Sequence, residues 1–432
     1  MEFTKIKDLH SKEGQIIELN AWVHEIKGQS KIKFMQLRDI TGVVQCVVLE
    51  PTLFEKIDKL TSESVINISG MVKKANVKSE EITEKSIEVE VSNLEIISIA
   101  DSLPILVVEK DKTIITELSK RLDYRFLDLH KRKVQAIFKV QSTIMTGFRE
   151  FMIKDGSLEV VFPSLIGASS EGGTDVFKVK YFEDEAYLSQ SCQLYKQMLA
   201  CSMEKVFSIF TCWRAEKHNT LRHLNECRQM DFEMAFADDK VVMDLMGKVV
   251  QYIVDKVLKE NKTELDLLGV SLKVPSVKYL TFSETAELLK KEGVEVGEDD
   301  LTGECEEKLG ELFPDTIVFV HDWPIAGKPF YIMPKDEKAD AILSKGFDAI
   351  YKGMEITSGG QRIHLPELLI ERLKAKGLNP EEFKEYVDSF RYGAPPHAGW
   401  AIGVERLTML ILGIKNIREV TLFPRDRDRL TP

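Results

Sequence analysis

The sequence has no apolar run of about 18 residues, the length that a helix needs to cross a bilayer. Its beginning, MEFTKIKDLHSKEGQ, has no apolar core of the kind found in signal peptides, so we expect a cytoplasmic protein. The six cysteines form no C-x-x-C pair and show no zinc-ligand spacing, so we expect reduced thiols. A net charge of -11 argues against a general nucleic-acid-binding protein, although local basic patches could still meet a large RNA.

The length of 432 residues exceeds what one hydrophobic core usually organises, so we expect two or three domains. Within residues 1–102, segments such as IIELNAWVHEI, GVVQCVVLE and SVINISGMVKK are rich in β-branched residues and alternate in part between apolar and polar. Five such strands in about 100 residues are typical of a small Greek-key barrel of the OB architecture. The pattern leaves open whether this barrel binds an oligonucleotide or is a purely structural β domain.

The pattern changes after residue 102. We interpret residues 103–133 as a linker or hinge and residues 134–432 as one α+β domain, in which helices flank an antiparallel β-sheet. That domain begins with a helix, because apolar residues recur at helical spacing between positions 134 and 153. Residues 240–315 are mainly helical and charged, and we interpret them as an insertion into this domain.

One segment near the middle, CWRAEKHNTLRHLNECRQMDFEMAF, has the pattern of two strands joined by a polar loop. The loop region carries five cations: Lys217, His218, Arg222, His223 and Arg228. A hairpin with cations at its base and in its loop suits the binding of a polyphosphate, because both can face phosphate oxygens. The alternative from pattern alone is a charged hairpin that is simply solvated.

The same segment resembles motif 2 of the class II aminoacyl-tRNA synthetases, in the form found in the aspartate and asparagine branch. Near the C-terminus GAPPHAGWAIGVERLTMLILG resembles motif 3, and the helix at 134–153 followed by Pro163 resembles motif 1. Between them EGGTDVFKVKYF, SCQLYKQ and MEITSGGQRIH are similar to segments of the aspartyl enzymes. The likeness spans most of residues 15–432 and follows the compact archaeal and eukaryotic form. It implies an anticodon-binding OB-fold barrel followed by a class II synthetase domain.

The resemblance implies that the chain activates aspartate with ATP and then transfers it to the 3′ end of a tRNA. A carboxylate is already a nucleophile, so the first step needs positioning and charge stabilisation rather than a protein base. The catalytic residues would be Arg214 and Arg406, and Glu355 and Ser358 would hold Mg²⁺, a cation that prefers oxygen ligands. The residues implied for ATP are Arg214, Glu216, Arg222, His223, Leu224, Glu355, Gly403, Val404, Glu405 and Arg406.

The side chain of aspartate is a carboxylate, so a pocket that selects it should contain cations. Lys196 in QLYK and Arg362 in GGQR match the two side-chain contacts of the aspartyl enzymes. Asparaginyl relatives usually lack the lysine, because a buried ammonium facing a neutral amide is costly. Lys196 therefore favours aspartate. The residues that the resemblance implies for aspartate are Glu171, Gln193, Lys196, Arg214, Ser358 and Arg362.

In the barrel, Phe34, Gln45 and Glu88 match positions that contact the anticodon in the family. Phe34 can stack on a base, and Gln45 and Glu88 can read base edges. The competing interpretation is a core phenylalanine with polar residues at the rim. In archaeal-type relatives a tryptophan at the position of His24 tends to accompany charging of the asparagine tRNA as well, so histidine favours discrimination. Motif 1 forms a two-fold interface in this family, which implies a homodimer.

Several positions depart from the family pattern, including Ser164, Thr211 and Cys212. Phe162 stands where threonine is usual, Cys192 replaces a proline, and Phe210 replaces a glycine. Cys227 replaces an aromatic residue that often stacks on adenine. These changes keep two alternatives open. One is an asparaginyl or mixed-specificity synthetase, which Lys196 disfavours. The other is a synthetase-like paralogue that binds RNA or regulates without charging tRNA.

Overall fold

The structure, a computed structural model, describes residues 3–29, 31–108, 116–167 and 176–432. Its contacts divide the chain into two compact units, residues 1–127 and residues 128–432. Part of the expected linker at 103–133 lies outside the described residues, so the domain boundaries at 102 and 133 stay a prediction.

The first unit is built on a closed five-stranded barrel with the strand order β1–β2–β3–β5–β4. Strands β3 and β5 pair in parallel and the other neighbours are antiparallel, which confirms the predicted OB-type barrel. The strands are β1 (Ile16–Gln29), β2 (Ile32–Arg38), β3 (Val43–Val48), β4 (Val65–Lys74) and β5 (Ile87–Ser98), with a short helix α1 (Phe54–Asp58) between β3 and β4.

Strand alternation fills the barrel. In β4 the side chains of Ile66, Ile68 and Val72 are buried in the barrel core, and the intervening residues are more exposed. Gly70 is also a buried position of β4, and it lies at a register shift against β5. A Cβ at that position would lie 2.5 Å from the carbonyl oxygen of Glu90, so only glycine fits there without a shift of the backbone.

The helices beyond the barrel include two long ones that form the main helical layer of the second unit. No helix in the described ranges is long and apolar enough to cross a membrane. The helices are α2 (Leu118–Asp123), α3 (Arg125–Asp128), α4 (Arg132–Lys154), α5 (Gln193–Met203), α6 (Asp239–Glu260), α7 (Lys262–Leu268), α8 (Phe282–Lys291), α9 (Gly303–Leu312), α10 (Pro366–Ala375), α11 (Lys384–Ser389) and α12 (Val404–Leu412).

The frame of the second unit is an eight-stranded sheet with the order β12–β13–β14–β15–β16–β11–β10–β6. The pairs β12–β13 and β10–β6 at the two edges are parallel and the inner pairs are antiparallel. The predicted α+β fold is confirmed, with a mixed rather than wholly antiparallel sheet. The strands are β6 (Leu158–Glu159), β10 (Lys205–Trp213), β11 (Glu226–Ala235), β12 (Ser276–Thr281), β13 (Thr316–His321), β14 (Gly346–Tyr351), β15 (Met354–Arg362) and β16 (His397–Gly403). A separate three-stranded sheet has the order β7 (Leu165–Ile166), β9 (Asp184–Leu188) and β8 (Lys178–Tyr181).

The main core lies between one face of the large sheet and helices α4, α6 and α12. Central strand β11 shows how the two faces differ. Met230 and Phe232 are fully buried in this core, and the alternating residues Asp231 and Glu233 are buried outside it. Since successive strand residues point to opposite faces, these carboxylates lie on the other side of the sheet. That polar side holds the candidate site.

Candidate active site

A cavity of about 280 Å³ lies in the second unit, and its walls are rich in charged and polar side chains. Hairpin β10–β11, strands β15 and β16 and the start of α12 contribute its walls. Eleven of the residues that the sequence implies for ATP, metal or amino acid line it: Gln193, Arg214, Glu216, Arg222, His223, Leu224, Glu355, Ser358, Gly403, Glu405 and Arg406.

The loop between β10 and β11 is fastened at its base by Asn225. The backbone N–H of Arg214 donates to the Asn225 carbonyl at 2.9 Å, and the Asn225 side-chain amide donates to the carbonyls of Arg214 and Glu216 at 2.6 and 2.9 Å. These bonds continue the antiparallel pairing by one residue pair and turn the chain into the loop. They place the side chains of Arg214 and Glu216 at the cavity, where their charged groups are 3.9 Å apart.

The C-terminal segment supports the same loop from outside the hairpin. Arg418 donates to the carbonyl of Thr220 at 2.9 Å, and Arg427 donates to the carbonyl of Lys217 at 3.0 Å. The backbone N–H of Asn225 donates to the carbonyl of Arg425 at 2.9 Å. Three arginines of the tail, Arg418, Arg425 and Arg427, therefore hold the loop through hydrogen bonds of their side chains or backbone.

Two basic residues of the loop, Arg222 and His223, reach the cavity. Arg222 forms ion pairs with Glu307 at 2.7 Å and Glu306 at 3.6 Å, both on helix α9. His223 accepts or donates one hydrogen bond with Thr220 at 2.6 Å. Burial, together with the positive charge of Arg406, lowers the pKa of His223, so this ring is neutral near pH 7.

Carboxylates gather on the wall formed by β14 and β15. Ser358 donates to Asp348, its partner in the strand register, and to Glu355 at 3.2 Å. Burial, and the neighbouring charge of Asp348, raise the pKa of Glu355. The backbone N–H of Glu355 donates to the Glu306 carboxylate at 3.3 Å. Burial, together with the negative charge of Glu355, raises the pKa of Glu306 to about 7. Arg406 donates to the Glu355 carbonyl at 3.3 Å and is the nearest counter-charge.

A second group of charges lies beneath the cavity and is almost wholly buried. Lys196 donates to Asp231 at 3.0 Å and to the carbonyl of Trp400 at 3.1 Å, and it lies 3.6 Å from Glu233. Arg362 holds Glu233 with two hydrogen bonds, at 2.8 and 3.2 Å. Although burial alone would raise it, Arg362 and Lys196 hold the pKa of Glu233 below its usual value. We call these four side chains the buried charge cluster; it contains two cations and two anions.

Comparison with known families now gives the site a context. Residues 117–427 match the family of class II tRNA synthetases for D, K and N, and residues 17–97 match the OB-fold nucleic-acid-binding domain. The chain belongs to the class II aminoacyl-tRNA synthetases. An aspartate–tRNA(Asp/Asn) ligase of Methanocaldococcus jannaschii is 45% identical over 97% of this synthetase and 95% of the relative. An aspartate–tRNA(Asp) ligase of Pyrococcus horikoshii is 43% identical over 97% of each chain.

Solved structures agree with this placement of the synthetase. The asparaginyl-tRNA synthetase of Pyrococcus horikoshii complexed with asparaginyl-adenylate is similar with a TM-score of 0.92, 34% identity and full coverage of both chains. The aspartyl-tRNA synthetase of Entamoeba histolytica has a TM-score of 0.90, 33% identity and coverage of 100% of this chain and 93% of that one. Since proteins named for either amino acid share the fold, the fold does not select the substrate.

Three of the described residues that the sequence implies for the site do not line the cavity of the synthetase. Lys196 and Arg362 are 1% and 2% exposed and lie in the buried charge cluster. Val404 is buried in the main hydrophobic core, so only its backbone is available to form a wall. Glu171 lies outside the described residues.

The departures from the family pattern come together in the synthetase. Phe162, Cys192, Phe210 and Cys212 form one buried cluster, against which Cys227 packs. The rings of Phe162 and Phe210 meet edge to face with centroids 6.2 Å apart. A phenylalanine in place of glycine adds volume, and a cysteine in place of an aromatic residue removes it. The unusual residues are therefore one repacked patch behind the cavity rather than separate defects.

Several polar residues of the site are not predicted from the sequence. Asp231 and Glu233 were not assigned, although QMDFE alternates polar and apolar as a strand with one polar face does. Gln229 precedes them on the same face and lines the cavity. Asp348 and Glu306 carry no such local pattern, because only the strand register and the docking of α9 bring them to Glu355 and Ser358.

The barrel has a pocket of its own, with a volume of about 300 Å³. Phe34, which is 37% exposed, and Gln45 both line it. Gln45 donates to Glu88 at 2.9 Å, since the two residues are partners in the parallel pair β3–β5. The three residues implied for the anticodon are thus neighbours on the outside of one barrel, and Lys27 and Lys78 bring positive charge to the same pocket.

Proposed function

We propose that this synthetase is an aspartate–tRNA ligase, which forms aspartyl-adenylate from L-aspartate and ATP and transfers the aspartyl group to tRNA(Asp). One observation carries the choice of amino acid: the two buried cations Lys196 and Arg362 beneath the cavity. Each would turn a hydrogen-bond donor toward the substrate side chain. A carboxylate satisfies such donors, whereas the amide of asparagine would bring its own donors into the same place.

Each of several cavity residues would have its own role in the first reaction, the formation of aspartyl-adenylate. Arg214 has the planar fork that can hold the aspartate α-carboxylate and the α-phosphate together, so that attack is in line. Glu216 would accept a hydrogen bond from the adenine amino group. Arg222 and His223 would meet the leaving pyrophosphate, where the neutral ring of His223 can donate one hydrogen bond. Arg406 would stabilise the negative charge that develops in the transition state.

Mg²⁺ fits the carboxylate wall. Glu355, Ser358 and Asp348 offer oxygen donors, the ligand type that Mg²⁺ prefers, on adjacent strands. Among the described residues no group of three or more His, Cys, Asp or Glu side chains is arranged to hold a metal alone. In sites for ATP, Mg²⁺ is usually held by one or two carboxylates together with the substrate phosphates. When bound, Mg²⁺ would neutralise phosphate charge.

The remaining amino-acid contacts follow from the same placement. Gln193 lines the cavity at the start of α5, one helical turn before Lys196, so both can face one substrate. Glu171 is proposed to pair with the substrate ammonium from the segment that lies outside the described residues. Ser358 would contact both the metal and the amino acid.

An aminoacylation assay, which measures the attachment of an amino acid to tRNA, tests the proposal. With ATP and Mg²⁺, the protein should attach radiolabelled aspartate to tRNA(Asp), and alkaline treatment should release the label from the ester. Stable charging with asparagine but not aspartate would contradict the assignment. An absence of charging with either, in protein that binds the tRNA, would favour a regulatory paralogue; the intact pairing of Arg406 with Glu355 argues against that alternative.

The barrel is proposed to bind the anticodon, and Phe34→Ala tests this role. Loss of one base-stacking ring should cost about 1–3 kcal/mol, or about a five- to hundredfold loss in kcat/KM for tRNA. ATP–pyrophosphate exchange needs no tRNA and should be unchanged. The matched control is Phe3→Ala, an equally exposed ring outside the pocket. Equal loss of both activities, or no loss of either, would refute the role of Phe34.

The relatives divide over the choice of tRNA, since some are named for Asp and Asn tRNAs and others for Asp tRNA alone. We propose discrimination in favour of tRNA(Asp). His24 is 6% exposed and its ring lies 3.7 Å from Glu81, so a tryptophan could enter only if this wall of the barrel rearranged. Measurable charging of tRNA(Asn) by the wild-type protein would favour the mixed-specificity alternative.

We also propose a homodimer, formed through the end of helix α4 and the segment that follows it. Apolar side chains are exposed there, with Ile153 at 59%, Leu158 at 51% and Val161 at 94%. Such exposure in sequence neighbours is typical of an interface rather than of a solvated surface. A cytoplasmic location stays a prediction from the sequence.

Replacing Val161 with glutamate should convert the dimer to a monomer, because a charge would be buried against its own symmetry copy. Light scattering at micromolar concentration measures this directly. Ile342→Glu is the control, since Ile342 is 81% exposed in another part of the unit. A wild-type monomer, or a Val161→Glu dimer of unchanged stability, would contradict the proposed interface.

A further inference from the structure

Two cysteines face each other in hairpin β10–β11, near the base of the loop that lines the cavity. Cys212 on β10 and Cys227 on β11 are direct partners in the antiparallel register, and their Sγ atoms are 3.3 Å apart. Cys212 is fully buried, whereas Cys227 is half-buried and lines the cavity. A pair of thiols therefore connects the proposed ATP site to the apolar patch behind it.

The backbone geometry suits a covalent bond between the two sulfurs. Directly opposed residues of an antiparallel pair have Cα atoms about 4.5–5.5 Å apart. This spacing falls within the range of about 4.4–6.8 Å that disulfides span. The sulfurs would have to approach by about 1.3 Å to reach the bond length of about 2.05 Å. Side-chain rotation and a small movement of the strands can supply that approach.

The surroundings give the two thiols different reactivities. The hydrogen bond with Cys212 lowers the pKa of Cys227, and the charges of Arg214 and Arg406 act in the same direction, whereas burial and the charge of Glu405 oppose the shift. The pKa of Cys212 is raised by the same hydrogen bond and by burial. Cys227 is thus the thiol that ionises first and the one that a small reagent in the cavity can reach.

We propose that Cys212 and Cys227 form a reversible disulfide that impairs the ATP site. The oxidant is a small disulfide, R–S–S–R. The Cys227 thiolate attacks one of its sulfurs and releases one thiol, R–SH, leaving a mixed disulfide on Cys227. The Cys212 sulfur, after losing its proton, then attacks the Cys227 sulfur and releases the second R–SH. Two protein thiols are oxidised and one small disulfide is reduced to two thiols.

The disulfide would alter the cavity wall that, under the proposed function, contacts adenine. Cys227 would be drawn away from the cavity toward the apolar patch, and the start of β11 would move with it. Gln229, two residues along the same face, also lines the cavity. Displacements of about 1 Å in an active site can cost about a hundredfold in activity. We expect the KM for ATP to rise by about ten- to a hundredfold, and reduction with dithiothreitol should restore it.

The experiment treats the full-length synthetase with 2-hydroxyethyl disulfide and maps the linkage by mass spectrometry of non-reduced peptides. ATP–pyrophosphate exchange is then measured before and after oxidation. Cys212→Ala is the key variant, since Cys212 does not line the cavity and its loss removes the resolving thiol. Reduced Cys212→Ala should resemble the reduced wild type. Cys201→Ala is the control, because this partly buried cysteine lies on α5 outside the pair.

A peptide containing the Cys212–Cys227 bond, together with a reversible rise in the ATP KM of wild type and Cys201→Ala, supports the proposal. A mixed disulfide that never resolves to this bond overturns it, as does a bond that leaves the ATP KM unchanged. The proposal rests on the ATP role given above, and the two can fail separately. A reduced protein without exchange refutes the ATP role, whereas a reduced protein with exchange that oxidation does not impair refutes only the switch.

Discussion

Arg214→Ala should lower ATP–pyrophosphate exchange by about a thousandfold and leave the thermal unfolding midpoint close to that of wild type. Removing one donor that acts on developing charge typically costs about 10²–10³ in rate, and Arg214 would act on two groups at once. Its side chain is 39% exposed at the cavity, so its loss opens no void in the core. Exchange kinetics at saturating aspartate and ATP measure the effect.

The matched control is Arg391→Ala. Arg391 is 40% exposed, forms ion pairs with Glu367 at 2.6 Å and Asp388 at 3.2 Å, and does not line the cavity. Exposed pairs of this kind are worth about 0–1 kcal/mol, so exchange should be unchanged. Exchange within about threefold of wild type in Arg214→Ala would show that another group bridges the two substrates.

Lys196→Leu should lower the kcat/KM for aspartate in exchange by at least about thirtyfold, because truncating one member of a buried charge pair costs about 2–5 kcal/mol. Asparagine, which gains nothing from the ammonium, should lose less. The same change leaves Asp231 with Glu233 against a single buried cation, so the variant will also be less stable by about 3–5 kcal/mol.

A second variant separates binding from folding. Lys196→Leu combined with Asp231→Asn leaves one cation and one anion in the buried charge cluster, and it should recover much of the lost stability. It should not recover aspartate activation, because the donor toward the substrate is still missing. If the double variant activates aspartate as well as wild type does, Lys196 has a purely structural role and the amino-acid assignment loses its main support.

The sequence predicts best those site residues that lie close together along the chain. Arg214, Glu216, Arg222 and His223 lie in one loop, so a local motif identified all of them, and they line one cavity. The barrel was predictable for the same reason, since alternation is a local property of each strand. Neither required knowledge of how distant segments pack.

Residues that meet only through packing were harder to predict. Asp348 reaches Ser358 because β14 and β15 pair in one particular register, and Glu306 reaches Glu355 because helix α9 docks on that strand. The departures at 162, 192, 210 and 227 were separate anomalies in the sequence. Their common explanation, one repacked patch, depends on contacts among three elements that are distant along the chain.

The buried charge cluster shows a further limit. The sequence indicated Lys196 and Arg362 as cations that face a substrate, but it gave no sign that Glu233 and Asp231 balance them. This balance matters energetically, since two unpaired buried cations would be costly before substrate arrives. Under the proposed function, a substrate carboxylate would therefore enter a site with both cations already oriented, and it would compete with fixed internal anions rather than with water.

Wild-type ATP–pyrophosphate exchange with aspartate and with asparagine, measured side by side on the reduced protein, tests the central claim most directly. The buried cations predict exchange with aspartate and only background exchange with asparagine at the same concentration. Exchange supported by asparagine alone, or by neither amino acid, would contradict the account.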